Sequence, residues 1–412
     1  MARIEPFKGI RPNKKIADKV ASHPYDVLNS EEATVLVKDN PYSFLRIVKP
    51  EVDLAKDVDL YSKEVYDKAK SNFASFINDK VLIQDETKNF YLYKQIWGEH
   101  IQVGLVAGAS AQDYQDDIIK KHELTREAKE KDRMNHIKSL NANTGPVFLT
   151  FRQKDEIDAI FSKVMEQVPE YDFTTDDKVR HIFYVISDTD LINDIKDNFA
   201  KIDYLYVADG HHRSASATKI KIEREKANNN HTGDEDYNFF LSVIFPHNQM
   251  KILPYNRVVK DLRGNDKNEF FTKIKEYFTI TETDTKEPES TQCFRMYIDK
   301  QWYKLQPKSG SFDDNDSVES LDVAILQNNL LKPILGIEDP RTDNRIDFIG
   351  GIRGTKELEK LVDNGKFIVA FSMFPTTIDQ LFAVADSGKI MPPKSTWFEP
   401  KLRSGLVTHL LD

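Results

Sequence analysis

The stretch Asp203-Tyr-Leu-Tyr-Val-Ala-Asp-Gly-His-His-Arg-Ser-Ala constrains the fold more than any other part of the chain. Its first half is an apolar run of strand length, the pattern of a buried strand. Gly210 then turns the chain, and Ser214–Lys226 continues as a helix that ends in the turn-forming Asn228-Asn-Asn-His-Thr-Gly. A strand that feeds a helix through a glycine turn presents the free N–H groups of the helix's first turn, with the helix dipole behind them. Such an end is an anion site. Arg213 at its entrance can add bidentate charge-assisted bonds to a phosphate. His211 and His212 can donate hydrogen bonds or transfer protons near neutral pH.

Two other readings of the turn stay open. Asp209 could be an ordinary helix cap flanked by solvated histidines, or the histidine pair could bind a metal. Adjacent histidines on a helix project about a hundred degrees apart, which is poor chelating geometry without further ligands.

The remaining pattern is mixed helix and strand. Ser30 reads as the cap of a helix running from Ala33, and Asp59–Ile77 as an amphipathic helix with Leu60, Val65, Ala69, Phe73 and Phe76 on one stripe. Phe90–Trp97 and the run from Gln102 read as a hairpin around Gly98-Glu99-His100. A charged helix over Thr125–Leu140 closes at Asn141-Ala-Asn-Thr-Gly-Pro. Strands are expected at Val147–Phe151, His181–Ile186, Phe239–Phe245, Cys293–Asp299, Trp302–Gln306 and Phe367–Phe374, with helices at Asp188–Ala200 and Leu321–Leu331. The fold class is α/β or α+β, a mixed sheet with helices. The length of 412 residues calls for more than one core, and the divisions expected are 1–110, 111–250 and 251–412.

Composition removes several classes. With 40% hydrophobic and 30% charged residues the chain is a folded protein rather than a disordered one. A net charge of −9 argues against general nucleic-acid binding, which needs a dense basic surface. One cysteine, Cys293, excludes a disulfide framework and Cys-rich zinc sites, and it reads as a packing residue of a strand. The N-terminus shows no apolar signal region, and no apolar run approaches the roughly 20 residues of a membrane span. The expected location is therefore the cytoplasm.

There is no phosphate-binding G-x-x-x-x-G-K-[ST] loop, and His122-Glu123-Leu-Thr125-Arg126 has an arginine where a zincin needs its second histidine. Gly350-Gly351-Ile-Arg-Gly354 has the wrong spacing for a dinucleotide turn. Glu123, just before a helix, can act as a base if a partner holds it. Arg126, Lys129 and Arg133 fall at spacings that share one helix face, either a phosphate-binding face or a solvated one. Met391-Pro-Pro-Lys394-Ser395-Thr396-Trp397-Phe398 reads as a rigid loop, functional or merely a strap. Ser22-His23-Pro24-Tyr25-Asp26 is a turn that gathers His, Tyr and Asp.

Six stretches together carry a resemblance. They are Pro6-Phe-Lys-Gly, Pro24-Tyr25-Asp26-Val27, His122-Glu123-Leu-Thr125, Lys131-Asp132-Arg133, Ala208-Asp-Gly-His-His-Arg and Met391-Pro-Pro-Lys-Ser-Thr-Trp-Phe. On them the chain resembles the bacterial and archaeal domain-of-unknown-function 1015 family along nearly its whole length. Its Asp-Gly-His-His-Arg stretch is similar to the phosphate turn of the ParB/sulfiredoxin superfamily, which includes nucleotide-dependent free-serine kinases, CTP-binding partition proteins and sulfiredoxin. The resemblance implies a ParB/sulfiredoxin-like nucleotide-binding core with an additional α+β region. By it, Asp209, His211, His212 and Arg213 would contact nucleotide phosphates and metal, and Glu123 would be the base for a serine hydroxyl. The spacing from Glu123 to the turn is longer here than in the compact kinases. His211 stands where sulfiredoxin has its catalytic cysteine, so that chemistry is excluded.

The expectation is nucleotide-dependent phosphoryl transfer, in either direction, on a small hydroxy amino acid such as serine or phosphoserine. Glu123 and His212 are the expected catalytic groups. Asp209, Gly210, His211, His212, Arg213 and Ser214 would hold phosphate, with ATP or ADP as co-substrate and Asp209 on Mg²⁺. Tyr25, Asp26, His122, Thr125, Arg133, Lys394, Ser395 and Thr396 would line the substrate. The partners are thus a nucleotide and a small molecule, with neither membrane nor nucleic acid. Two other classes remain: a non-enzymatic nucleotide-binding regulator of the partition-protein type, and a metal-dependent hydrolase.

Overall fold

A computed structural model describes residues 1–412. The chain forms two compact units, one of residues 1–250 with 400–412 and one of residues 251–399. The division expected at 110 is not where the structure divides. Residue 110 ends a strand whose partners come from both sides of that boundary, and residues 400–412 belong with the first unit.

The first unit is built on a mixed nine-stranded sheet. Its strands are β1 (Ile4–Glu5), β2 (Phe90–Trp97), β3 (His100–Ser110), β4 (Ile119–Lys120), β5 (Val147–Phe151), β6 (Tyr171–Thr174), β7 (Val179–Ile186), β8 (Leu205–Asp209) and β9 (Phe239–Pro246). They lie in the order β4-β8-β5-β9-β3-β2-β7-β6, with β1 beside β3. The hairpin β2–β3 pairs Trp97 with His100 across Gly98-Glu99, and Gly98 takes the positive φ of 60° that such a tight turn demands. Strand β8 pairs in parallel with β4 and antiparallel with β5. Leu105, Leu149, Val207, Phe240 and Ile244 are wholly buried in the sheet's core. A second core, with Val20, Ala33, Phe44, Ala69 and Phe73, joins the N-terminal helices to Leu140 and Ala142.

Two helix starts differ from the sequence expectation. Asn29, not Ser30, caps the first: its carboxamide accepts the Glu32 N–H at 2.8 Å while Glu32 accepts the Asn29 N–H at 2.9 Å. That reciprocal box satisfies two donors at once and frees the Ser30 hydroxyl for Glu51 at 2.9 Å. The helix expected from Asp59 begins at Lys63, because Asp59 first accepts the Tyr61 and Ser62 N–H groups in a local turn. Leu60 is consequently exposed, while Val65, Ala69, Phe73 and Phe76 are buried as the stripe requires.

The second unit has a six-stranded antiparallel sheet. Its strands are β10 (Tyr255–Val259), β11 (Phe278–Glu282), β12 (Phe294–Ile298), β13 (Gln301–Pro307), β14 (Ile346–Gly350) and β15 (Val369–Ser372), in the order β11-β13-β12-β15-β10-β14. The helix Gly354–Asp363 covers Val258, Tyr297, Trp302 and Ala370 with Leu358 and Leu361. Cys293 is buried as expected, its sulfur accepting from Arg295 at 2.9 Å. The helix expected over Leu321–Leu331 is α-helical only to Leu326 and continues as a π-turn over Gln327–Leu331. Asp322 at its start is buried and accepts the Gln292 N–H at 2.7 Å. No helix of either unit is long and apolar enough to cross a membrane.

Candidate functional site

Strand β8 slips register between Val207 and Asp209, so a bulge re-aims the chain just before the turn. Gly210 follows at φ +102°, a conformation strained for any residue with a Cβ, and a Cβ there would stand 3.0 Å from the Arg213 Nε. The positive φ calls for glycine, and a Cβ would in addition crowd the Arg213 side chain. Gly210 starts the helix α2 (His211–Ala227) and offers no side-chain cap, which corrects the reading of Asp209 as N-cap. The first turn's N–H groups, those of His211, His212 and Arg213, have no intrahelical acceptor.

Asp209 is not a magnesium ligand in this arrangement. One carboxylate oxygen accepts from Lys401 Nζ at 3.0 Å and the other lies 3.5 Å from Arg213 Nη2. Burial would raise its pKa, but Lys401, then Arg213 and His211, hold it well below the usual carboxylate range. A carboxylate already facing two cations has little attraction left for a third. No group of three or more His, Cys, Asp or Glu is placed to hold a metal ion, which is the donor set a metal-dependent hydrolase would need.

Arg213 is 9% exposed and lies folded over Gly210. It donates to the Pro146 carbonyl, its Nη2 is 3.7 Å from Asp26, and its Nε has no acceptor. Ser214, expected to bind phosphate, is wholly buried and donates to the Gly210 and His211 carbonyls at 3.3 and 3.1 Å. Its hydroxyl is spent on the helix itself, as serines on helix interiors commonly are.

The two histidines diverge. His211 is buried, edge-on to His122 with ring centroids 4.5 Å apart, and its Nδ1 is 3.8 Å from the Glu123 carboxylate. Neither ring nitrogen of His122 has a hydrogen-bond partner. Burial lowers the pKa of His122 to about 4, and burial with His122 alongside lowers His211 well below its ordinary value. Both are neutral at pH 7. His212 Nε2 accepts the Arg126 N–H at 3.0 Å, which leaves the ring proton on Nδ1 while the ring is neutral. Glu123 is about half exposed, so one carboxylate touches both the turn and solvent.

The three cations of the charged helix α1 (Glu127–Leu140) do not form one face. Arg126 precedes the helix as its N-cap, and Lys129 reaches Tyr61 at 3.3 Å. Arg133 is drawn inward, 2.7 Å from Asp132 and with its guanidinium 4.0 Å over the Tyr25 ring. Thr125 donates to Glu130, which also holds Lys219, so its hydroxyl is committed away from a substrate. Tyr25, Arg133 and Arg213 line a small cleft with Asn143, Thr144, Gly145, His136 and Ser404.

Lys394, Ser395 and Thr396 lie in the second unit. There Lys394 Nζ is 5.1 Å from the Tyr255 ring centroid, the Ser395 hydroxyl donates to Pro392 at 2.6 Å, and the Ser395 carbonyl accepts from Thr376 at 2.8 Å. These bonds brace the loop.

The model of a family described as protein of unknown function (DUF1015) matches residues 4–324. The chain belongs to the DUF1015 family. No curated protein matches it. Among solved structures it is similar to a free serine kinase in complex with AMP, at 15% identity and a TM-score of 0.34 over 68% of this chain and 84% of that one. It is similar to a conserved hypothetical protein from Pyrococcus furiosus at 14% identity and a TM-score of 0.36, over 71% and 93%. The third is SbnI with C-terminal truncation from Staphylococcus aureus, at 12% identity and a TM-score of 0.37, over 71% and 82%. These are distant likenesses.

Sequence reasoning missed part of that site. Lys401 reads only as the end of a proline-bounded strap, yet it holds Asp209. Asn143, Thr144 and Gly145 read as the turn that closes a helix, yet they wall the cleft. Gly145 gave no signal either, since a Cβ there would make only an ordinary contact with Arg213 Cδ at 3.5 Å.

Proposed function

We propose that this DUF1015 protein binds the phosphates of ATP or ADP at the N-terminus of α2 and moves a phosphoryl group to or from the hydroxyl of a serine-type amino acid. Its first unit is read as a ParB/sulfiredoxin-like core. The observation that carries the proposal is the meeting of an acid and an anion site: the Glu123 carboxylate lies 3.8 Å from His211 Nδ1, at the helix end where Arg213 is held.

In the forward direction Glu123 accepts the proton of the acceptor hydroxyl as its oxygen forms a bond to the γ-phosphorus. The bond from that phosphorus to the bridging oxygen breaks, and the nucleoside diphosphate leaves with the electron pair. Charge on the transferring group is met by the N–H groups of His211, His212 and Arg213 and by the Arg213 guanidinium. His211, neutral and buried, orients Glu123 rather than exchanging protons. His212 presents Nδ1–H as a donor. Reversal of these steps makes serine from phosphoserine.

Titration calorimetry with ATP and ADP, and ³¹P NMR of ATP with L-serine and of ADP with phosphoserine, test the reading. Saturable nucleotide binding with conversion in either mixture is expected. Nucleotide binding with no conversion in either mixture would transfer the protein to the class of non-enzymatic regulators. No nucleotide binding would end the proposal.

A further inference from the structure

Arg213 stands between two carboxylates and is closed onto neither. Its Nη2 is 3.5 Å from Asp209, the outer limit of a hydrogen bond, and 3.7 Å from Asp26, beyond that limit. A guanidinium beside a free carboxylate readily closes into two parallel bonds, and its fork is then spent. Here Lys401 Nζ holds the other Asp209 oxygen at 3.0 Å. Burial opposes the charge on Asp209, and Lys401, ahead of Arg213, sustains it. Two carboxylates around one guanidinium would give the start of α2 a net negative charge, which repels an anion. Lys401 brings that group of four to neutrality.

The backbone of Lys401 is fixed independently of that ion pair. Its carbonyl accepts from Gln95 Nε2 at 3.0 Å, and the Gln95 side-chain oxygen accepts from Gln102 Nε2 at 2.9 Å. These two glutamines face each other across the β2–β3 hairpin and are wholly buried. Carboxamides inside a sheet are costly unless they are bonded, and this pair ends on the Lys401 carbonyl. Three residues on, Ser404 exchanges both backbone hydrogen bonds with Ser22, at 2.9 and 3.0 Å, which ties the same segment to the turn that carries Asp26. We infer that Lys401 is a positioning residue: by occupying Asp209 from the segment 400–412, it keeps the Arg213 fork free for an anion at the start of α2. The inference rests on the proposed anion site and assigns Lys401 no contact with phosphate.

The test is calorimetric titration of the full chain with ADP and with inorganic pyrophosphate, in EDTA, beside crystal structures of the native chain and of Lys401→Met. In Lys401→Met both anions are expected to bind at least about tenfold more weakly, the scale of one hydrogen bond to a charged group. Its crystal structure is expected to show Asp209 closed on Arg213 through two bonds. Adding Asp209→Asn to Lys401→Met should restore the affinity, because the competing carboxylate is gone. Neither a merely structural lysine nor one that touches phosphate would allow that rescue. Should Lys401→Met fail to fold, Asp209→Asn alone is expected to bind pyrophosphate more tightly than the native chain, and a loss of affinity there would overturn the inference. So would native affinity in Lys401→Met, weak binding that Asp209→Asn does not rescue, or an Asp209–Arg213 gap that stays open. Closure of the gap in a protein whose native form binds neither anion would support the inference and defeat the nucleotide reading instead.

Discussion

The two units bury ionisable groups of opposite kind. All ten histidines of the chain lie in the first unit, and the second has none. In the first unit burial lowers the pKa of His122 and His136 to about 4, and that of His181 to about 3. In the second, burial raises the Asp322 carboxyl to about 7 and lowers the neighbouring Arg257 to about 10. The histidines, depressed from 6.5, contribute stability that is present above that pH and lost as pH falls through about 4. Asp322, raised from 3.8, contributes stability that is present below that pH and lost as pH rises through about 7. Acid should therefore loosen the first unit and tighten the second. The unit that carries the proposed chemistry works with neutral rings and paired charges, whereas the other keeps a proton in a place unrelated to the turn.

The sharpest way to break this contrast is Glu123→Gln. It keeps the shape of the side chain and removes the base, so phosphoryl transfer should fall by about 10²–10⁴ while nucleotide affinity and the second unit's stability hold. Full turnover in the variant would leave the first unit without its catalytic base. Next in size is Asp322→Asn. Unit-resolved hydrogen exchange between pH 4 and 8 should show the second unit losing stability with rising pH, on the order of 4 kcal/mol in all for the native chain. The variant should lose that slope with activity untouched, and a slope that persists would return the proton to some other group. Arg213→Ala should weaken nucleotide binding by about 1.5–3 kcal/mol in calorimetry, the range for hydrogen bonds to charged groups. Arg213→Lys, which keeps the charge but loses the fork, should recover only part of it. The smallest effect is expected from Asn29→Ala, which removes a capping box and should cost the first unit about 1 kcal/mol in denaturant unfolding, with no change in the second.

How much of this was legible in the sequence depended on the range of the interaction. The strand-turn-helix at Asp209–Arg213 was legible because its signals are local: an apolar run, a glycine, then helix-forming residues. The hairpin at Gly98 was legible for the same reason. Lys401 and Asp209 lie far apart in sequence, and no local pattern announces that a lysine will occupy a carboxylate read as a metal ligand. The cationic stripe of α1 failed for a related reason. Helical spacing gives the direction of Arg133 but not the Tyr25 ring and Asp132 that turn it inward. Ser214 has the composition of a phosphate ligand, and only the burial of its helix face shows that its hydroxyl bonds its own backbone.

Residues 400–412 return to the first unit after the whole of the second has been passed. They bring Lys401 to Asp209, Arg403 to Asp177, and Thr408 and His409 to the backbone of Ile10 and Asn143. During synthesis, then, the turn at Gly210 emerges long before the lysine that neutralises its aspartate. Until residues 400–412 have been made the first unit has its sheet but an unbalanced site, and the second, being continuous, is free to fold in the interval. The proposed active site is therefore completed only after the second unit has been made, and a chain interrupted before residue 400 would carry the complete motif without the cation that holds it.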